Sequence, residues 1–263
     1  PESYHISRIR IDPTNTQRLF VGVMGKVYSS SPERGIYRSE DGGATWQQIV
    51  HLTDSTGCIE LVMHPQSPDT LFAAMWERIR KPWGRHYAGM TSRIYRSTDG
   101  GDSWQQLTNG LPANDPNTGR IGLNISASNP DVVYSIYSTN PVTNVFNGVY
   151  KSEDMGDSWN RVVDTSLNNV FSSFGWFFGN IRVSKINSDV VYAMGLNTYK
   201  STDGGNTWLE ITDAVHVDHH DLYIHPQNDD FLLLGTDGGL YISADGGTTW
   251  DKIEGLPITQ FYT

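Results

Sequence analysis

The sequence predicts an all-β fold, a β-propeller of four-stranded antiparallel blades, and three observations carry that prediction. An eight-residue turn recurs five times: SEDGGATW from Ser39, STDGGDSW from Ser97, SEDMGDSW from Ser152, STDGGNTW from Ser201 and SADGGTTW from Ser243. Around each copy lie four short apolar runs with the alternation of half-buried strands. Helical periodicity is almost absent, so a repeat of this size describes small twisted sheets stacked radially.

The elements follow in order. Aligned on their first turns, the five units read as blades at residues 5–50, 57–108, 119–163, 178–212 and 219–253 of one propeller domain or fragment. The first strand of each carries apolar residues two apart: Ile9 and Ile11, Leu61 and Met63, Leu123 and Ile125, Ile181 and Val183, Leu222 and Ile224. A turn follows (DPTNTQ, HPQSPD, SASNPD, SKINSD, HPQNDD) rich in the Pro, Asn and Asp that initiate turns. The second strand is a nearly continuous apolar run such as RLFVGV or VVYSIY, as a strand covered on both sides requires. The third (GIYRS, RIYRS, GVYKS, TYKS, GLYIS) enters the recurring turn and the fourth leaves it (TWQQIV, SWQQLT, SWNRVV, TWLEIT, TWDKIE). Gly255-Leu256-Pro257 repeats the Gly110-Leu111-Pro112 that precedes a blade, so residues 254–263 are expected to begin another, with further blades supplied by the same or another chain.

The recurring turn is expected to be a structural clip. Its glycines can take positive φ, its Ser and Asp can hydrogen-bond within the turn, and its indole can fill space beside a neighbouring sheet. That assigns structural roles to Asp41, Trp46, Asp99, Trp104, Asp154, Trp159, Asp203, Trp208, Asp245 and Trp250. A catalytic role would need one convergent site, not five copies of one turn. Where the other copies have Gly, the third has Met155, so that position is expected to face solvent without left-handed geometry.

Composition narrows the function. The 263 residues hold 19 Lys and Arg against 29 Asp and Glu, and a net charge of −10 repels phosphate backbones, which excludes nucleic acid as a partner. Eight Trp, thirteen Tyr and only 18% charged residues suit a secreted, periplasmic or cell-surface β protein. The single Cys58 cannot form an internal disulfide, and no apolar run is long enough for membrane insertion.

Strand order sorts the connections into two faces. The clips and short turns share one; the long segments 24–35, 77–92, 108–119, 138–147, 164–177 and 212–218 share the other, where binding is expected. Three clusters there supply ligand-binding candidates. ERIRKPWGRHYAG carries Arg80, Trp83, Arg85, His86 and Tyr87 beside Arg78, a set suited to stacking on a sugar ring or clamping a carboxylate, unless Trp83 packs down on the next blade. FSSFGWFFG offers Trp176 among Phe171, Phe174, Phe177 and Phe178, and is expected to be mainly blade-to-blade core. In HVDHHD an extended chain would point His216, Asp218 and His220 one way and His219 and Asp221 the other. That spacing can hold zinc, but a polar channel lining is the expectation, with no metal and no cofactor. The catalytic residues of an enzyme are not identifiable: Glu33, Glu77, Asp115, Asp164, Asp213 and Asp218 are loop-face carboxylates with nothing to single out a pair.

The pattern S-x-D-x-G-x-T/S-W resembles the Asp-box, or BNR repeat, of sialidases, xyloglucan-cleaving glycoside hydrolases and sortilin-type receptors. RGIYRSEDGGATW, LFAAMWERIRKPWG, HVDHHDLYIHPQNDDFLLLGTDGGLYISADGGTTW and LPITQFYT are similar to bacterial sortilin-like and BNR-repeat glycosyl hydrolase proteins. The resemblance implies a propeller and not a reaction. Sortilin-type propellers take peptide segments in the channel, which implies a polysaccharide or peptide ligand here. The alternative it implies is a xyloglucanase-type glycoside hydrolase whose carboxylate pair, set between two propellers, is completed by segments outside this chain. Sialidase is disfavoured, because no segment reproduces the Phe/Tyr-Arg-Ile-Pro motif of that family.

Overall fold

A computed structural model describes residues 3–139, 146–162 and 165–256. The predicted candidate Asp164 and most of the stub expected to begin a further blade lie outside the described residues. No helix of the described residues is long and apolar enough to cross a membrane.

Five four-stranded antiparallel meanders follow one another. The first is β1 (Ile6–Ile11), β2 (Leu19–Val23), β3 (Gly35–Ser39) and β4 (Gln47–Val50). The second runs β5 (Thr56–Met63) and β6 (Leu71–Glu77), is interrupted by a hairpin of β7 (Ile79–Lys81) and β8 (Gly84–His86), and resumes as β9 (Ile94–Ser97) and β10 (Gln105–Gln106). The third is β11 (Thr118–Ile125), β12 (Val133–Thr139), β13 (Phe146–Ser152) and β14 (Asn160–Val162). The fourth is β15 (Asn180–Val183), β16 (Val191–Met194), β17 (Thr198–Ser201) and β18 (Leu209–Glu210). The fifth is β19 (His219–His225), β20 (Asn228–Thr236), β21 (Gly239–Ser243) and β22 (Asp251–Lys252).

Because strand side chains alternate faces, each sheet has an incoming and an outgoing side, and the core lies between consecutive sheets. Phe20 and Ile36 of the first sheet pack with Leu61 and Ala73 of the second. Phe72 and Leu107 of the second pack with Leu123 and Trp159 of the third, and Tyr134 of the third with Ile181 and Trp208 of the fourth. Tyr192 of the fourth meets Leu222 and Leu234 of the fifth. The first strands are also stitched sideways: Ser7 Oγ donates to Cys58 O, Asn124 Oδ1 accepts from Val183 N at 3.1 Å, and Asn180 Nδ2 donates to His220 O at 2.6 Å. Arg8 senses the charge of Asp221 and Arg10 that of Arg182, so these strands converge toward a common axis.

The clip repeats atom for atom. Ser39 Oγ donates to Asp41 Oδ1 at 2.8 Å and accepts from Gly43 N at 2.8 Å; Asp41 also accepts from Thr45 N at 2.8 Å and Thr45 Oγ1 at 2.6 Å. The same bonds close around Asp99, Asp154, Asp203 and Asp245. Hydrogen bonds from the Thr or Ser pull the carboxyls of Asp41, Asp99, Asp203 and Asp245 down to about 2. One expectation fails here. Met155 takes φ 57, beside 72, 70, 74 and 71 for Gly42, Gly100, Gly204 and Gly246, and its half-buried side chain packs on the core between the second and third sheets. The clip imposes left-handed geometry whatever residue occupies the position, and apolar contact offsets part of the steric cost.

Candidate functional site

The loop face is organised around Arg34, a residue sequence reasoning passed over. Its side chain is buried, and its guanidinium donates to the carbonyls of Ser55 (2.9 Å), Arg78 (2.7 Å), Lys26 (2.5 Å) and Ser29 (3.2 Å). It thereby ties the loop after β2 to the connection before β5 and the exit of β6. Burial pushes its pKa down to about 10, so the charge persists, and the four carbonyls satisfy its two terminal nitrogens.

From this anchor the β7–β8 hairpin projects. Arg80 pairs with Arg85 across it, so both point to one side, and Ile79 and His86 to the other. On the first side lies Trp176, from the segment between the third and fourth sheets: Arg85 Cζ stands 5.4 Å and Arg80 Cζ 5.8 Å from an indole ring centroid. Trp176 stacks on Tyr87 (centroids 4.9 Å apart, 10° between planes), and Tyr87 leans on buried Trp76, whose Nε1 donates to Tyr87 O at 2.8 Å. The first two predicted clusters therefore meet. Tyr87 is buried and supports the shelf from beneath, whereas Trp83, at the hairpin tip, is 83% exposed and does not pack on a neighbouring sheet. Among the described residues neither Arg80 nor Arg85 has a carboxylate partner.

On the other side, His86 Nε2 lies 2.8 Å from Glu77 Oε1, while Thr91 Oγ1 donates to Glu77 Oε2 at 2.8 Å. Burial would raise the Glu77 pKa, but these hydrogen bonds outweigh it and the carboxyl is held below its ordinary range.

The Phe-rich segment splits where sequence reasoning expected mainly core. Phe171 and Phe178 are buried, but Phe174 and Phe177 are each 42% exposed. They line, with Trp176, Phe178 and Asp218, a cavity of about 200 Å³. Period 2 cannot sort a segment that is not a strand.

The histidine cluster also departs from its expected alternation. Asp218 sits at φ 69, β19 begins only at His219, and a bulge follows between His219 and Asp221. His219 is buried; its Nε2 donates to His216 O (3.0 Å) and its Nδ1 accepts from Thr198 Oγ1 (2.8 Å), so both ring nitrogens are occupied. Desolvation lowers its pKa to about 4, leaving a neutral structural imidazole. His216 is exposed with Nδ1 2.8 Å from Val217 O, and His220 pairs with Asp237 at 2.5 Å while its ring meets the edge of Phe177. His216, Asp218 and His220 do not form a ligand set, and among the described residues no three His, Cys, Asp or Glu gather as a metal site. Asp218 instead lines the aromatic cavity, and the His220 ring contacts Phe177 and Phe178 of its wall.

Deeper, the axis carries a second feature missed in the sequence. The first strands bring together Arg8, Arg10, Arg120 and Arg182, with Arg78 nearby. Glu60 forms a bidentate pair with Arg8 (2.6 and 2.7 Å), and Asp221 pairs with Arg182. Among the described residues Arg120 has no acid partner; it donates to Phe177 O and to Asn180 Oδ1 at 3.0 Å, and burial pushes it down to about 10. Among the described residues the Arg10 guanidinium donates to Ile9 O alone. The excess is cationic in a protein of net charge −10. The signal was the basic residues within SRIRI, TGRIG and NIRVS, which a search for apolar alternation passes over.

Comparisons with known proteins place this geometry. A xyloglucanase from Paenibacillus sp is 23% identical over 96% of this chain, which spans 28% of that relative. The vacuolar protein sorting/targeting protein 10 of Colletotrichum graminicola is 29% identical over 41% of the chain and 6% of its own length. Among solved structures, an ancestral GH74 enzyme superposes with a TM-score of 0.69 at 19% identity, covering 95% of this chain and 33% of that one, a likeness of fold. The BNR/Asp-box repeat model matches residues 241–252, the last strand pair and its clip. The Sortilin-Vps10 model, described as sortilin, neurotensin receptor 3, matches residues 34–194, more than half of the 263, from Arg34 through the arginine hairpin and the aromatic shelf: the chain belongs to the Sortilin-Vps10 family.

Proposed function

We propose that this is a binding propeller, working outside the cytoplasm, whose loop face holds an acidic peptide segment against the Trp176 shelf and draws its carboxylates toward the arginines of the axis. One observation carries the reading: Arg80 and Arg85 lie over the Trp176 ring with no acid of their own among the described residues, which leaves their charge to a ligand. Guanidinium groups stacked on an aromatic ring keep a planar edge free for bidentate contact with a carboxylate. The cavity lined by Phe174, Trp176 and Phe177 supplies an apolar subsite beside them, and exposed Trp83 a second ring on the rim. A polysaccharide bearing carboxylates would meet the same chemistry.

The second reading is a xyloglucanase-type hydrolase, favoured by the 96% coverage against the Paenibacillus enzyme. Against it, Glu77 is held ionised by His86 and Thr91, unlike a general acid, and Glu33 is occupied by Ser31 Oγ at 2.6 Å. The two separate on one experiment. An array of acidic, neutral and basic peptides alongside xyloglucan and uronic-acid oligosaccharides should retain the protein on acidic peptides, without release of reducing ends. Turnover of any polysaccharide, or retention indifferent to peptide charge, would overturn the binding reading.

A further inference from the structure

The aromatic cavity of the loop face has one polar wall. Its four rings form a closed circuit: Phe174 to Trp176, Trp176 to Phe177, Phe177 to Phe178 and Phe178 back to Phe174, with centroids 6.3, 5.4, 5.2 and 6.5 Å apart. None of these pairs is parallel. Their planes meet at 53°, 54°, 75° and 75°, so the rings make a cup and not a stack. The remaining lining residue is Asp218, and the space within is about 200 Å³.

Asp218 is half-buried and held by its backbone, its N donating to Leu196 O at 3.0 Å and its O accepting from Asp237 N at 3.3 Å. Basic residues stand against three of the rings, yet none takes its carboxylate. Arg80 and Arg85 lie over Trp176. Arg120 donates to Phe177 O and to Asn180 Oδ1, and His220, against Phe177 and Phe178, pairs with Asp237. Among the described residues no side chain bonds the Asp218 carboxylate.

That wall decides what the cup accepts. A purely apolar group would strip water from the carboxylate and return nothing, and an anion would be repelled. A cationic side chain answers both parts: its methylene stem packs on the rings, while its charge meets their faces and the carboxylate together. A space of this size holds one side chain, not a drug-sized ligand. We propose that the four-ring cup closed by Asp218 is a subsite for a lysine or arginine side chain, so that the ligand carries a basic residue beside the acidic one held by Arg80 and Arg85. The acidic-peptide reading supplies the neighbouring subsite on which this rests; the preference of the cup itself follows from Asp218 and the rings. The Trp176 indole then serves both, with arginines over its ring and the cup at its side.

Fluorescence anisotropy of labelled, glutamate-containing peptides tests the subsite. In one series a single lysine is moved along the peptide; in a matched series norleucine, the same stem without the ammonium, takes its place. With the native chain the best lysine peptide should bind about tenfold tighter than its norleucine match. Asp218→Asn removes the charge and keeps the shape, and asparagine tolerates the positive φ of this position. Its melting temperature should therefore hold while the lysine advantage shrinks to about twofold or less. Replacing the peptide's glutamates by glutamine should weaken binding equally in both proteins. Norleucine binding as tightly as lysine, with the glutamate preference intact, would overturn the cation subsite and leave the acidic-peptide reading standing. So would a lysine advantage that Asp218→Asn leaves unchanged. Loss of the glutamate preference beside an Asp218-dependent lysine advantage would do the reverse, and peptides that bind in neither series would overturn both. Should the Asp218→Asn chain not fold, the lysine-against-norleucine comparison on the native chain decides.

Discussion

Two regions of this molecule use tryptophan to opposite ends. In the clips, Trp104, Trp159 and Trp208 each donate Nε1 to the carbonyl of a glycine three residues earlier, at 3.1, 3.1 and 2.7 Å, and wedge against the preceding sheet. On the loop face, Trp176 and Trp83 carry no such bond among the described hydrogen bonds; one is stacked between Tyr87 and two arginines, the other points into solvent. Side chains that recur from unit to unit and pack on an adjoining sheet serve assembly. Side chains without a counterpart in the other units are free to answer a ligand.

The largest effect that should follow is on a clip. Trp159→Ala removes an indole only 3% exposed from the core between the second and third sheets, and loss of a buried large aromatic costs about 3–5 kcal/mol. Urea titration should show a fall of that order, and an effect below about 1 kcal/mol would break the assembly reading of the clips.

Arg34→Met comes next and tests whether the loop face has its own keystone. Carbonyls of Ser55, Arg78, Lys26 and Ser29 lose their donor, and each buried acceptor left unpaired costs about 1–3 kcal/mol before water re-enters. A net loss of roughly 3 kcal/mol is expected, with hydrogen exchange rising first in residues 26–31 and 78–86 and the clips still protected. Uniform loss of protection would mean that the two faces are one cooperative unit.

Acid separates the faces on a pH axis. Desolvation sets the folded pKa of His219 to about 4, below its unfolded value, so as pH falls the unfolded chain takes up the proton first and stability declines from about pH 6.5 toward pH 4. The clip aspartates work lower: their folded pKa near 2 lies below the unfolded carboxylate value, so the stability they add is full above about pH 4 and lost as pH falls toward 2. The upper step is on the order of 3 kcal/mol. His219→Gln should flatten the window from pH 6.5 to 4 in thermal melts while leaving the lower one unchanged.

The same contrast governs what could be read from the sequence. The clip, its hydrogen-bonding residues and the four-strand grammar were legible because five copies average out local accident. Met155 was misjudged because a side chain was taken as evidence about φ, whereas the surrounding hydrogen bonds dictate the backbone. The side-to-side alternation of the histidine run fails because a positive φ at Asp218 and a bulge break it, and neither leaves a trace in residue type. Arg34 and the axial arginines were invisible for another reason. Their roles depend on carbonyls and strands far along the chain, between 5 and 44 residues away for Arg34.

The smallest effect is the sharpest test of the comparison. Trp83→Ala removes the same indole that Trp159→Ala removes, but from a site 83% exposed, so its stability change should stay within about 0.5 kcal/mol. If the ring serves ligand instead of fold, affinity for an acidic peptide should fall while the melting temperature holds. Stacking one aromatic ring on a partner contributes about 0.5–1.5 kcal/mol, so the expected loss is roughly three- to tenfold in Kd. Pairing it with R80A/R85A separates the chemistry: the arginine variant should weaken acidic peptides and spare neutral ones, whereas the Trp83 variant should weaken both. A Trp83→Ala protein that melts several degrees lower would place that ring among the structural tryptophans and erase the distinction between the two faces.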